Sequence, residues 1–189
     1  MHKIILFFLL NFLVIVSLKA QKDIKIDKES LYGFLGDIDD SLKANLPLPN
    51  FCVTGNKLLT NDSLQGYVTF IDLWVSHCSP CVAECYAMNL LYNKFKGYPK
   101  FKFISITPDT DKTIKEFVAE HNLQFPIYRI TKENSLKLNM GSGFPTKILV
   151  RADGKIEKFV SGGATDSEIA NEIIKQAFYS KLDFLLVQH

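Results

Sequence analysis

A short apolar run at residues 68–75 passes directly into a stretch with helical periodicity, and this junction constrains the fold more than any other feature. The run is almost continuously hydrophobic, which is typical of a central strand covered on both faces. From residue 79 to about residue 95, apolar side chains recur at steps of three and four, which predicts a helix with one buried face. The sequence therefore predicts a buried strand that leads at once into a helix.

The elements that follow have an order typical of an α/β sheet. Four further strands are predicted, at residues 101–106, 127–130, 147–151 and 155–160. Helical periodicity follows Asp109, and Ala152-Asp153-Gly154 is a turn of the kind that joins antiparallel strands. A capping box of Thr165 and Glu168 predicts the start of a last helix. Because a helical crossover joins parallel strands, we expect the first strands to be parallel and the last two antiparallel.

Two cysteines, Cys78 and Cys81, stand at C-x-x-C spacing where the first helix is predicted to begin. The amino end of a helix directs unpaired backbone N–H groups and the positive end of its dipole at the first sulfur, which favours thiolate over thiol. Cys78 is therefore the candidate attacking thiolate, and Cys81, one turn further in, is the candidate resolving thiol that breaks a mixed disulfide. The alternative, a structural disulfide, would close too short a loop to stabilise the fold much.

Two polar residues beside the motif are candidates for tuning it. Asp72 lies inside the apolar run, where burial should raise its pKa, so we expect it to exchange a proton with Cys81 through a water molecule. A hydrogen-bonded structural acid is the alternative. His77 would favour the Cys78 thiolate when protonated, or it is simply exposed.

The cysteine count argues against a fold held together by disulfides. Four clustered cysteines, at positions 52, 78, 81 and 85, are too few for such a scaffold, and a chain with 47% hydrophobic residues can build a core without one. Cys85 lies one turn beyond Cys81 and is expected to pack in that core. The alternatives are a second disulfide with Cys52 or a thiol relay.

Residues 1–20 have the pattern of a secretory signal, with Lys3 near the start, then an apolar run, then a small residue, Ala20. The alternative is an uncleaved membrane anchor, although the apolar run is shorter than the ~20 residues of a spanning helix. This segment carries the net charge of +2 through Lys3 and Lys19, so residues 21–189 are neutral. We therefore expect export, to the periplasm or to a membrane-tethered position on the extracytoplasmic side, and no nucleic-acid partner.

The order of elements resembles the thioredoxin fold, and several motifs make the resemblance specific. Asp72-Leu73-Trp74 followed by His77-Cys78-Ser79-Pro80-Cys81 is similar to the thioredoxin pattern of an acid, aromatic neighbours and a C-x-P-C at a helix start. Gly143-Phe144-Pro145-Thr146 resembles the cis-proline loop that faces the C-x-x-C in that fold. The signal segment, Glu84 and the stretch at residues 109–130 resemble the exported TlpA-like and ResA-like thiol-disulfide oxidoreductases.

The resemblance covers residues 48–180 and implies an α/β thioredoxin-like fold, a central mixed β-sheet flanked by helices. It also implies an N-terminal β-hairpin extension near Phe51 and an insertion in the βαβ half. The chain then divides into a signal peptide or uncleaved anchor, an N-terminal extension, a thioredoxin-like domain and a C-terminal tail, at residues 1–20, 21–47, 48–180 and 181–189.

The same resemblance implies roles for residues around the dithiol. Glu84 corresponds to the acid behind the motif and would tune proton transfer, unless it is a solvated helix residue. Pro145 is the candidate for a cis bond, because X-Pro is the linkage where cis costs least, and the backbone beside it, at Phe144, would pair with an extended substrate segment. Trp74 and His77 would belong to the same substrate-binding face, with Trp74 packed beside the dithiol.

Four positions depart from the subfamily pattern. His77 stands in place of an aromatic residue, Val82-Ala83 in place of a basic pair, and Tyr86 in place of a helix-bending proline. These changes leave the reaction class intact, but the direction of electron flow does not follow from the sequence.

Together these features predict an exported thiol-disulfide oxidoreductase that reduces protein disulfides, by analogy those that block haem attachment in cytochrome c maturation. Its redox group would be the Cys78–Cys81 disulfide, with no added cofactor. Its partners would be protein disulfides and an upstream electron donor, such as a membrane-embedded dithiol carrier. Two alternatives stay open: a copper or zinc site formed by Cys78, Cys81 and Cys85 with His77, and a thiol peroxidase of the same fold.

Overall fold

The structure, a computed structural model, describes residues 41–53 and 59–187. The predicted signal segment, most of the N-terminal extension and the turn of the predicted hairpin lie outside these ranges. Within them, no helix is both long enough and apolar enough to cross a membrane.

Five strands form one mixed sheet. They are β1 (Val68–Leu73), β2 (Phe101–Thr107), β3 (Ile127–Arg129), β4 (Thr146–Val150) and β5 (Ile156–Ser161). The order across the sheet is β3-β2-β1-β4-β5, with β1, β2 and β3 parallel and β4 antiparallel to both of its neighbours. The predicted βαβ unit followed by an antiparallel pair is confirmed.

Helices pack against this sheet. They are α1 (Ser79–Phe95), α2 (Asp111–His121), α3 (Lys132–Leu138), α4 (Ser167–Ile174) and α5 (Ser180–Val187). A π-helical turn at Lys175–Tyr179 joins α4 to α5, and short 3-10 helices occur at Ser41–Lys43 and Asn61–Leu64.

The central position of β1 follows from its apolar sequence, since all six of its residues are buried. Phe70 belongs to one hydrophobic cluster with Met88 of α1, whereas Ile71 belongs to another with Ile148 of β4. Because successive side chains of a strand point to opposite faces, these clusters cover the two faces of the sheet. Asp72 is two residues after Phe70 in β1, so both side chains point to the face of the sheet that α1 covers.

The first cysteine of the motif caps α1. Cys78 is the N-cap residue, with extended backbone, and its Sγ accepts a hydrogen bond from the backbone N–H of Cys81 at 3.3 Å. Pro80 lies in the first turn, where the N–H that proline lacks would have no intrahelical partner. The helix therefore begins where the sequence predicts.

The start of α4 differs from the prediction. Asp166, not Thr165, is the N-cap residue, and its Oδ1 accepts hydrogen bonds from the N–H groups of Glu168 and Ile169 at 2.9 and 3.0 Å. An aspartate at this position also places negative charge at the positive end of the helix dipole. The predicted capping box of Thr165 and Glu168 is therefore wrong by one residue.

The C-terminal residues continue this helical layer. The predicted C-terminal tail, residues 181–189, is helical where the structure describes it, because Ser180–Val187 form α5. Its residues Leu182, Leu185 and Leu186 are buried in the same cluster as Phe178, because the apolar stripe of the last helices runs on through them.

Where the sequence predicts an N-terminal hairpin, the described residues contain one isolated bridge. Val53 and Leu59 pair antiparallel on either side of residues 54–58, which lie outside the described ranges. Leu48 and Phe51 are buried in the cluster that contains Ile156 of β5, so the segment before β1 packs on that face of the sheet.

Candidate active site

The C-x-x-C motif lies at the amino end of α1, just beyond the central strand. Cys78 and Cys81 form a disulfide with a Cα–Cα distance of 5.2 Å. Cys78 is partly exposed, whereas Cys81 is only 5% exposed. A substrate can therefore approach Cys78, while Cys81 faces the core.

The loop that carries the motif is anchored by Asp109, which follows β2. Its Oδ2 accepts a hydrogen bond from the backbone N–H of Ser76 at 2.8 Å, and its own N–H donates to Thr107 Oγ1 at 3.2 Å. His77, between Ser76 and the first cysteine, is exposed. In the sequence Asp109 marks only a helix start, because its contact with Ser76 depends on the pairing of β1 with β2.

A buried hydrogen-bond chain runs from Trp74 to Asp72. Trp74 Nε1 donates to Ser105 Oγ at 2.7 Å, and Ser105 Oγ donates to Asp72 Oδ2 at 3.0 Å. The Trp74 ring also stacks on Phe117 of α2, with centroids 4.5 Å apart. Trp74 therefore packs beside the motif and orients the acid through Ser105.

Asp72 shares a small pocket beneath the dithiol with Cys81, Glu84 and Cys85. Its other walls are mainly aromatic and aliphatic. The pKa of Asp72 is raised to about 7, chiefly by burial and then by the Glu84 charge, against the lowering effects of the Ser105 hydrogen bond and of Lys147. A carboxyl with this pKa can both accept and donate a proton near neutral pH.

Glu84 is buried, so it is not a solvated helix residue. Its side chain is 2% exposed, and Oε1 accepts a hydrogen bond at 2.7 Å from Nζ of Lys147, which is 0% exposed. The Lys147 ammonium also donates to the backbone carbonyl of Gly162 at 2.7 Å. Burial raises the pKa of Glu84, and the positive charge of Lys147 opposes that effect.

Lys147 is a site residue that the sequence pattern predicts only as the start of a strand. A signal for its role is present in the sequence, because Lys147 directly precedes the apolar residues Ile148, Leu149 and Val150. A lysine in a buried strand needs an anionic partner. Asp72 and Glu84 are the acids that the sequence already places near the motif.

The Phe144–Pro145 peptide bond is cis, as predicted. The Pro145 carbonyl accepts a hydrogen bond from Gly162 N–H at 2.8 Å, which ties the loop to the end of β5. Phe144 and Cys78 both pack against the cluster that contains Trp74. The cis-proline loop and the dithiol therefore lie on one face of the molecule.

Gly163 should not tolerate even a methyl side chain. A Cβ at this position would overlap Glu84 Oε1 and lie 3.4 Å from Pro145 Cγ. We expect Gly163→Ala to lower the free energy of unfolding by about 1–3 kcal/mol, because Glu84 cannot move aside without disturbing its ion pair with Lys147. Gly97→Ala is the matched control, since nothing lies within 4 Å of a Cβ there. Urea unfolding measures the free energy of unfolding of both variants. Equal values for Gly163→Ala and Gly97→Ala would contradict the prediction.

The two remaining cysteines are free thiols. The Cys85 thiol is buried, donates to the carbonyl of Cys81 at 3.4 Å, and has its pKa raised to about 12, first by burial and then by Asp72 and Glu84. Such a thiol stays protonated and packs as a core residue. The alternative disulfide between Cys52 and Cys85 is not formed.

Across residues 41–53 and 59–187, no group of three or more histidine, cysteine or carboxylate side chains is arranged to hold a metal ion. Cys78 and Cys81 are bonded to each other, and His77 is exposed. The alternative metal site therefore has no geometric support in the described part of the chain.

Known proteins resemble this chain both in sequence and in fold. The sequence model of the Redoxin family matches residues 38–174 of this chain. The thiol-disulfide oxidoreductase ResA of Bacillus thuringiensis (strain Al Hakam) is 32% identical over 148 residues, which cover 76% of this chain and 83% of that protein.

Two solved structures extend the comparison. A thiol:disulfide interchange protein from Bacteroides sp. superposes with a TM-score of 0.56, at 22% identity and over 73% of this chain and 92% of that chain. A secreted Mycobacterium tuberculosis disulfide oxidoreductase homologous to E. coli DsbE superposes with a TM-score of 0.53, at 18% identity and over 72% of this chain and 99% of that chain. These likenesses show the fold.

The fold and the site together define a thiol-disulfide oxidoreductase with a thioredoxin-like fold. Its redox-active group is the disulfide that Cys78 and Cys81 form at the start of α1. The chain belongs to the Redoxin family.

Proposed function

We propose that the protein is an extracytoplasmic reductant of protein disulfides that works through the Cys78–Cys81 couple. The observation that carries this proposal is the pairing of a partly exposed Cys78 with a buried Cys81, above an acid whose pKa is raised to about 7. A structural disulfide needs neither an accessible sulfur nor a proton-exchanging acid behind it. A dithiol that must open and close needs both.

The reaction consists of two exchange steps. The Cys78 thiolate attacks one sulfur of the substrate disulfide, so a bond between Cys78 and the substrate forms and the first substrate thiolate leaves and takes up a proton. Cys81 then gives its proton to the Asp72 carboxylate and attacks Cys78 Sγ. The Cys78–Cys81 bond forms, and the second substrate thiolate leaves and takes the proton from Asp72. Two electrons pass to the substrate, so an upstream dithiol donor must reduce the enzyme again.

The substrate would bind as an extended segment beside the cis-proline loop. Among the described residues, no hydrogen bond uses the backbone N–H or C=O of Phe144, so both groups are available for pairing with such a segment. Val82 and Tyr86, one turn apart on α1, are 37% and 62% exposed. Together with the exposed His77, they favour a substrate with apolar side chains near its disulfide.

The location and the partners extend this proposal. The signal pattern of residues 1–20 and the secreted M. tuberculosis structure support export. The protein substrates, including those of cytochrome c maturation, and a membrane-embedded donor follow by analogy with the subfamily. We assign residues 109–130 as the insertion of this subfamily and the bridge between Val53 and Leu59 as part of its N-terminal hairpin.

The purified protein should catalyse the reduction of insulin disulfides by dithiothreitol. We expect the reduction potential of the Cys78–Cys81 couple to lie near that of thioredoxin, about −270 mV, because a reductant must be able to give electrons to ordinary protein disulfides. Equilibration with glutathione buffers measures this value. A reduction potential of about −120 mV, typical of a strong oxidant, would instead mean that electrons flow from the substrate to this protein. Consumption of hydroperoxide without insulin reduction would indicate the peroxidase instead.

A further inference from the structure

Lys147 is a fully buried lysine that the reaction described above does not use. Its ammonium donates to Glu84 Oε1 and to the Gly162 carbonyl, both at 2.7 Å, and its side chain is 0% exposed. A buried ammonium without an anion costs several kcal/mol. The folded protein therefore needs the Glu84 carboxylate as the partner of the Lys147 ammonium.

Lys147 also faces Asp72. The two residues are direct partners in the register of β1 and β4, so their side chains lie on the same face of the sheet. Lys147 is nevertheless bonded to Glu84, and Asp72 accepts its hydrogen bond from Ser105 instead. The Lys147 ammonium therefore lies near two buried carboxyls, those of Asp72 and Glu84, and forms a hydrogen bond only with Glu84.

The surroundings of Glu84 fit a carboxylate and not a protonated acid. Oε1 accepts a hydrogen bond from Lys147, and Gly163 lies so close to that oxygen that a Cβ at this position would overlap it. A proton on Oε1 would oppose the ammonium that donates to it.

We propose that Lys147 is a positioning residue that sets the order of ionisation: it holds Glu84 as the buried anion and leaves Asp72 as the carboxyl that exchanges a proton with Cys81. The electrostatics agree in sign, because at Asp72 the raising effect of Glu84 exceeds the lowering effect of Lys147. Without Lys147, Glu84 would hold the proton, and Asp72, stabilised by Ser105, would ionise first.

Three elements contribute the polar groups that face Asp72. α1 supplies Glu84, Cys81 and Cys85, β4 supplies Lys147, and β2 supplies a serine that does not titrate. Within the described ranges, Asp72 and Glu84 are the only charged side chains that line the pocket. In the oxidised protein, where Cys81 is bonded to Cys78, a titration near neutral pH inside this pocket therefore belongs to one of the two carboxyls.

Infrared titration of the oxidised protein identifies the carboxyl that holds the proton. We expect the band of a buried protonated carboxyl at neutral pH to disappear in Asp72→Asn. In a Lys147→Met background the band should survive Asp72→Asn and disappear in Glu84→Gln. The proposal rests on the proposed function only for the proton exchange with Cys81, and this readout does not depend on disulfide exchange. The role of Lys147 and the proposed function can therefore fail separately.

The pH dependence of mixed-disulfide resolution is the second readout. In Lys147→Met its midpoint should move to lower pH by about one unit or more, because Asp72 no longer faces an anion. The double variant Lys147→Met/Glu84→Gln removes both charges, leaves neither unpaired, and should match the single variant. It also provides the test if Lys147→Met does not fold. An unchanged midpoint, or a band that still belongs to Asp72 without Lys147, would overturn the proposal.

Discussion

Cys78→Ser should abolish reduction of protein disulfides, with a loss of about 10³-fold or more, because no other accessible sulfur lies at the start of α1. Cys81→Ser should retain the first attack and then stop, since the thiol that breaks the mixed disulfide is gone. Mass spectrometry of the non-reduced reaction should therefore find a covalent complex with the substrate in Cys81→Ser and none in Cys78→Ser. Wild-type activity of Cys78→Ser would rule out the proposed mechanism.

The free thiols provide matched controls for these two variants. Cys52→Ser removes a cysteine that lies outside the site, and Cys85→Ala removes the buried thiol that donates to the Cys81 carbonyl. Both should reduce insulin at rates near wild type, because the Cys85 thiol stays protonated and Cys52 does not touch the motif. A folded Cys85→Ala that accumulates the mixed disulfide would instead support a thiol relay.

Local patterns are enough to predict the order of elements, because each signal lies within its own element. The apolar run of β1 and the cysteine and proline at the start of α1 need no knowledge of distant residues. The start of α4 is harder, since Thr165 and Asp166 are adjacent and both are good N-cap residues. Local chemistry alone does not separate them, and the structure selects the aspartate.

The candidate site is predictable only where its residues are close in sequence. Asp72, Cys78, Cys81 and Glu84 can be read from a single segment. Other groups reach the site through strand pairing: Ser105 and Lys147 are the two cross-strand partners of Asp72. Their roles depend on β1 lying between β2 and β4, which a propensity pattern does not specify. The sequence pattern therefore does not predict the buried ion pair, although Lys147 directly precedes an apolar run.

Asp72→Asn should make the folded protein more stable at alkaline pH. The pKa of Asp72 is raised from 3.8 to about 7 in the folded protein, chiefly by burial. Between these values the folded state binds more protons than the unfolded state, so stability falls as pH rises through the window and is lowest above it. A shift of this size corresponds to about 4 kcal/mol at pH 8, an upper value because the ionisation of Asp72 is coupled to that of Glu84.

Urea unfolding of the oxidised protein at pH 5 and pH 8 measures this effect. Wild type should lose about 2–3 kcal/mol between the two values, and Asp72→Asn should lose much less, with the remaining slope due to Glu84. Asp62→Asn, at an exposed acid, should keep the wild-type slope. Equal slopes in wild type and Asp72→Asn would show that Asp72 does not titrate in this range. A variant that is more stable but slower in the Cys81 step would mean that the acid is retained for the reaction, since an amide would serve the fold better.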